Sequence, residues 1–150
     1  MKPSAANRQA LAERAAQALY DSDRASQALG MRIVAIAPQA CSVAMKVRAD
    51  MSNGHAICHG GIVFALADSA FAFACNSGGE QTVAATGSID FLAAAQEGDE
   101  LTASARALWH GGRSGIYEVT VTNQAGLRVA LFRGRSHRIG AGRPDTQDAP

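Results

Sequence analysis

The chain has 150 residues, 32 of them alanine, and a formal net charge of +1. This length predicts a single domain, and the balanced charge gives no reason to expect a nucleic acid or a membrane surface as a partner. Because large apolar side chains are few, we expect the subunit to bury further surface against copies of itself, as a homo-oligomer.

No targeting or membrane segment is predicted. Residues 1–8 lack the apolar core of a signal peptide, and the most apolar stretch, 61–75, is shorter than the roughly 20 residues of a membrane span. Cys41, Cys58 and Cys75 are odd in number and form no C-x-x-C pair, which favours reduced thiols and a cytoplasmic location.

The hydrophobic pattern of the sequence predicts helical segments and six strands. Residues 4–29 form a helical segment, in which 21–23 cap a second short helix, and a long apolar helix follows at 61–75. The predicted strands are 31–37, 42–48, 82–92, 101–109, 116–123 and 127–139. We expect one domain over residues 1–140 and a disordered tail over 141–150.

The helix at 61–75 is hydrophobic on nearly every side, so it must be surrounded by protein. One sheet achieves this only by curling around the helix. The predicted fold is therefore α+β, a hotdog-like antiparallel sheet wrapped around a long central helix.

Asp68 is the only charged residue of this helix. Burying an unpaired carboxylate is unfavourable, so such a residue is a candidate for a functional site. The alternatives are an Asp on a narrow exposed stripe or one bonded to a backbone amide.

His59-Gly60-Gly61 lies where the helix begins. The glycines either only permit a tight turn or let a ligand approach the first helical amides, which would polarise a carbonyl. Gly61 and Asp68 are roughly 10 Å apart along a helix. One helix cannot easily supply both groups to one reacting carbon, which predicts a site shared by two subunits.

The sequence resembles the hotdog-fold thioesterases of phenylacetic acid degradation, the PaaI type. The matching segments are 53–55, 58–61, 66–68, 74–77, 89–92, 129–134 and 136–140. The resemblance implies hydrolysis of phenylacetyl-CoA, ring-hydroxylated phenylacetyl-CoA or a similar aryl-acyl-CoA by a homotetramer, without metal or redox cofactor.

Positions carried over from the family give the catalytic set. Asp68 is the nucleophile or general base, Gly60 lies at the helix start that polarises the thioester carbonyl, and His59 and Asn53 orient the active-site loop or the carbonyl. Thr86 and Ser88 are the candidates for a hydroxyl that positions water.

Further interpretations concern the arginines, the loop before the helix and the function itself. Arg133 and Arg135, with Arg113, either hold the phosphates of CoA or form a solvated strand edge. A metal site at 55–59 lacks a fourth ligand, and Cys58 as nucleophile lacks a clear base. The competing functions are a non-catalytic acyl-CoA-binding protein, which would not need Asp68, and an enoyl- or hydroxyacyl-CoA hydratase that uses His59.

Overall fold

The structure, a computed structural model, describes residues 1–141. Its helices are α1 (Ala5–Ser22), α2 (Arg24–Ala28) and α3 (Gly60–Cys75), with a 3-10 turn at Ala49–Met51. Its strands are β1 (Arg32–Ala37), β2 (Ala40–Lys46), β3 (Glu80–Phe91), β4 (Glu100–Gly111), β5 (Ser114–Thr122) and β6 (Arg128–Ala141). The predicted order of helices and strands is confirmed. The predicted tail lies outside the described residues except for Ala141, where β6 ends.

All six strands form one antiparallel sheet in the order β1-β2-β4-β5-β6-β3. β3 pairs with β6 and not with its neighbour in sequence, β4, so β3 forms one edge of the sheet. The other edge, β1, is covered by α1, where the Gln9 side-chain amide donates to the Ile36 carbonyl at 2.8 Å. Irregularities in the pairing of β1, β3 and β4 add local twist, which helps the sheet to curl.

The curled sheet encloses α3, which contacts all six strands. The buried residues of α3 include Val63, Leu66, Ala70, Phe71 and Phe73. This arrangement is the predicted hotdog fold, with the apolar helix at its centre.

Small residues make the close wrapping possible. A Cβ atom added to Gly134 of β6 would lie 2.8 Å from the Phe71 ring, and one added to Gly87 of β3 would lie 3.1 Å from the Phe132 ring. The strands approach the helix at these points because they carry no side chain there. Around α3 the core thus sets aromatic rings against glycine and alanine, together with buried Val, Leu and Met side chains.

The N-terminal segment is fixed to this core. Asp23 separates α1 from α2 and caps α2, because its carboxylate accepts from the Ser26 amide at 2.9 Å. The predicted second cap is confirmed. The Tyr20 hydroxyl donates to the Met31 carbonyl at 2.6 Å, which holds the end of α1 beside β1.

Candidate active site

The loop before α3 is held by backbone hydrogen bonds on both sides. The amide of His59 donates to the Met51 carbonyl and that of Cys58 to the Ala95 carbonyl, each at 2.8 Å. The Asn53 side-chain oxygen accepts from the amides of His55 at 2.9 Å and Ile57 at 3.3 Å. Asn53 therefore organises the loop that delivers the chain to the helix start.

His59 is the N-cap of α3 and uses two of its atoms to satisfy the first turn. Its Nδ1 accepts from the Gly61 amide at 2.9 Å, and its carbonyl accepts from the amides of Ile62 and Val63. Acceptance at Nδ1 leaves the ring proton of neutral His59 on Nε2.

Gly60 carries the one amide of this first turn that has no acceptor among residues 1–141. It lies at the positive end of the helix dipole, where an unpaired N–H binds a carbonyl oxygen or an oxyanion. One expectation from the sequence is that the first helical amides polarise a carbonyl. Since the Gly61 amide already donates to His59 Nδ1, the Gly60 N–H is the donor left for a ligand.

Gly60 opens onto a pocket of about 420 Å³, which Asn53 also lines. The other walls are largely apolar and include Val63, Leu92 and Val129. The ring of Phe91 lies over the helix start, 3.0 Å from where a Gly60 Cβ would be. A methyl group at residue 60 would therefore compete with both the ring and a bound ligand.

Cys58 lines the same pocket but is a poor nucleophile. Burial, with a smaller effect from the negative charge of Asp99, raises the pKa of the Cys58 thiol. A thiol with a raised pKa stays protonated near neutral pH. Within residues 1–141 no group of three or more His, Cys, Asp or Glu side chains is placed to hold a metal ion.

Asp68 lies two turns along α3 and is half-buried. It faces a second pocket, of about 230 Å³, between α3 and α2. No donor in residues 1–141 hydrogen-bonds its carboxylate, so the alternative of an Asp bonded to a backbone amide does not apply. Burial raises the pKa of Asp68, and the negative charge of Asp23 raises it further.

The two pockets share no lining residue. Within one chain, the free amide of Gly60 and the carboxylate of Asp68 therefore do not face the same space. This separation agrees with the distance expected along the helix.

The other predicted binding residues lie elsewhere. Arg133 pairs in register with Ser88, and Arg135 with Thr86. All four are exposed and alternate with Gly87 and Gly134, which face the core, so they lie on the sheet face away from α3.

Arg113 follows β4 and lines a third pocket, of about 360 Å³, together with Arg8 and Arg138. The structure does not bring Arg113, Arg133 or Arg135 to Gly60 or Asp68 within one chain.

Two residues near the candidate site were missed by the sequence analysis. Phe91 covers the helix start, and Asp23 faces the same pocket as Asp68. Asp23 was identified only as a helix cap, since a cap signal carries no information about which distant side chain it meets.

Comparison with known proteins identifies the family of this chain. The model of the thioesterase superfamily matches residues 55–130. The acyl-coenzyme A thioesterase PaaI of Escherichia coli is 48% identical over 125 residues, which cover 83% of this chain and 89% of that protein.

Solved structures agree with this match. The structure of E. coli PaaI, from the phenylacetic acid degradation operon, superposes with a TM-score of 0.87 at 46% identity and covers 89% of this chain and 96% of that one. A mutant of the phenylacetic acid degradation protein PaaI from Thermus thermophilus gives 0.75 at 38% identity, covering 78% and 100%. A Streptococcus mutans protein bound to acetyl CoA gives 0.72 at 26% identity, covering 75% and 91%.

None of the helices in residues 1–141 combines the length and the hydropathy needed to cross a bilayer. The fold, the glycine at the helix start and the similar proteins all point to the same family. The chain belongs to the thioesterase superfamily and is a thioester hydrolase of the hotdog fold.

Proposed function

We propose that this protein hydrolyses aryl-acyl-CoA thioesters, phenylacetyl-CoA or its ring-hydroxylated forms, to the free acid and CoA during phenylacetate degradation. The observation that carries the proposal is the unpaired Gly60 amide at the start of a helix whose only charged residue is Asp68. The similarity to E. coli PaaI supports the choice of acyl group, and the S. mutans relative with acetyl CoA supports a CoA thioester.

The reaction follows from these two groups. The thioester oxygen accepts a hydrogen bond from the Gly60 N–H, so the helix start stabilises the negative charge that develops on that oxygen. Asn53, beside Gly60 in the same pocket, holds the loop in place. His59 fixes the first turn so that Gly60 keeps its free N–H.

Asp68 supplies the attack by one of two routes. Its carboxylate adds to the carbonyl carbon and expels the CoA thiolate, and water then hydrolyses the mixed anhydride. Alternatively, Asp68 takes a proton from a water molecule that attacks the same carbon. The CoA thiolate then leaves, the free acid forms, and the proton taken up by Asp68 is released or passed to the thiolate. Both routes consume only the thioester and water, and neither requires a metal or redox cofactor.

The site is proposed to be shared between two copies of the chain, since Gly60 and Asp68 face separate pockets within one copy. The uncovered edge strand β3 offers the contact surface, because Val83 and Phe91 on it remain 42% and 55% exposed. A tetramer built from such dimers is the proposed assembly. All three cysteines are unpaired, which fits the proposed cytoplasmic location.

The decisive assay follows the release of free thiol from phenylacetyl-CoA. Thiol release is expected for the wild-type protein, and Asp68→Asn or Asp68→Ala should lower kcat by at least ~10²-fold while the protein stays folded. Binding without thiol release would instead indicate an acyl-CoA-binding protein, and addition of water to an enoyl-CoA would indicate a hydratase. Near-native turnover of Asp68→Asn would remove this residue from the mechanism.

Subunit complementation tests the shared site. Gly60→Ala and Asp68→Asn chains, each inactive alone, are unfolded together and refolded as a 1:1 mixture. In a two-fold dimer, a mixed pair contains one intact site, so about a quarter of the wild-type activity should return. No recovery from a mixture that demonstrably contains mixed dimers would show that each site lies within one chain.

A further inference from the structure

The pocket beside Asp68 has a second carboxylate in its wall. Asp23, at the start of α2, lines this pocket together with Asp68. Its carboxylate accepts two hydrogen bonds from one residue, from the Ser26 amide at 2.9 Å and from the Ser26 hydroxyl at 2.6 Å. Asp23 is therefore held in one orientation.

A chain of hydrogen bonds joins this carboxylate to α3. The Ser26 hydroxyl, only 2% exposed, lies 2.9 Å from the hydroxyl of Ser69, the residue after Asp68. Because the Ser26 proton is donated to Asp23, Ser69 is the donor in the second bond. The position of Asp23 relative to Asp68 is thus set by side-chain bonds between α2 and α3.

Among the described residues that line the pocket, none carries a positive charge that would offset the two carboxylates. The remaining walls are Ala25, Leu29, Met31, Ala65 and Ala72. Among the other titratable groups near this part of α3 within residues 1–141, Tyr20 donates its hydroxyl to a backbone carbonyl, and the half-buried thiol of Cys75 has a pKa raised to about 12. In the part of the pocket wall that the structure describes, Asp23 is the charged side chain beside Asp68.

We propose that Asp23 is a positioning residue for thioester hydrolysis. Asp23 is anchored by Ser26 in the pocket that it lines together with Asp68, and from there it keeps Asp68 a strong nucleophile or base. The proposal rests on the function proposed for Asp68. A like charge nearby disfavours the Asp68 anion, and this repulsion is relieved when the anion attacks carbon or accepts a proton. The direction of the Asp68 pKa agrees with this geometry.

The test is the pH profile of kcat/KM for phenylacetyl-CoA in Asp23→Asn. Asn caps helices as well as Asp does, so α2 is expected to remain folded. Without the charge of Asp23, the acidic limb of the profile should move to lower pH. The plateau kcat should fall by about two- to tenfold, because Asp68 becomes a weaker base. Asp23→Ser, another uncharged cap, should behave in the same way.

Asp21→Asn is the matched control. It removes the same charge two residues away, from an exposed carboxylate that accepts from the Gln17 side chain at 2.7 Å, and its profile should coincide with the wild type. An acidic limb that does not move in Asp23→Asn, or that moves equally in Asp21→Asn, would overturn the proposal. Failure of the proposed function gives a different result: the wild type would then release no thiol from phenylacetyl-CoA, or Asp68→Asn would retain the release.

Discussion

Replacing Gly60 with alanine should lower the activity of the protein while leaving its stability nearly unchanged. The backbone at residue 60 is not among the left-handed glycines, so alanine causes no backbone strain there. The new methyl group would lie 3.0, 3.3 and 3.5 Å from three atoms of the Phe91 ring. These contacts are tight, but Phe91 is 55% exposed on an edge strand and has room to turn away.

The expected effect on stability is therefore small. Alanine in place of glycine, at a backbone geometry that it can adopt, gains about 0.4–1 kcal/mol by restricting the unfolded chain, which offsets the displacement of the Phe91 ring. We expect the free energy of unfolding to stay within about 1 kcal/mol of the wild type in urea titrations.

The expected effect on activity is large. A methyl group at residue 60 would enter the pocket that Gly60 and Phe91 line, so we expect it to hinder the approach of a thioester oxygen to the Gly60 amide. Loss of one oxyanion donor lowers kcat by about 10²–10³-fold. This loss corresponds to about 2.7–4 kcal/mol of transition-state stabilisation. Thiol release from phenylacetyl-CoA, with full saturation curves, measures it.

Two controls identify the cause. Gly78→Ala adds a methyl group with no atom within 4 Å and should leave kcat unchanged. In the double variant Gly60→Ala/Phe91→Leu the crowding by the ring is relieved, so activity should stay low if the methyl group itself blocks the amide. A folded Gly60→Ala protein with near-native kcat/KM would refute the role of the Gly60 amide.

Three further predictions concern the folded state. Asp68→Asn should increase the free energy of unfolding at pH 7. The folded pKa of Asp68 is raised above 3.8, so the wild type loses stability as pH rises through that pKa, and the difference should vanish below about pH 3.8 in denaturation series. Gly134→Ala places a methyl group 2.8 Å from the Phe71 ring and should destabilise the protein by about 1–3 kcal/mol, measured by urea unfolding. Burial raises the pKa values of Cys41 and Cys75 to about 12, so both thiols should react slowly with a disulfide reagent at pH 8 and rapidly once the protein is unfolded.

The predicted strand 82–92 shows a limit of sequence periodicity, which predicts the strand but not the sheet face to which each side chain points. The strand exists, as Glu80–Phe91, but its pairing with β6 slips between Ala84 and Thr86. Because a one-residue slip moves every following side chain to the other face, the direction of Thr86 and Ser88 could not be read from the sequence.

The local features of this protein can be predicted from short stretches of its sequence. An all-apolar helix with one carboxylate, a glycine pair after a capping histidine, and alternating strands each follow from neighbouring residues, because periodicity and caps act over a few positions. The central helix, the hotdog fold and the choice of Gly60 and Asp68 follow from them.

Contacts between residues far apart in the chain depend instead on how the sheet and the helices pack. The pairing of β3 with β6 places Phe91 over Gly60, and the packing of α2 on α3 places Asp23 beside Asp68. Such contacts depend on sheet order and on side-chain hydrogen bonds between helices, which leave no periodic signal along the chain. The separation of Gly60 and Asp68 into two pockets is likewise a property of the folded molecule, since it follows from what surrounds each end of the helix.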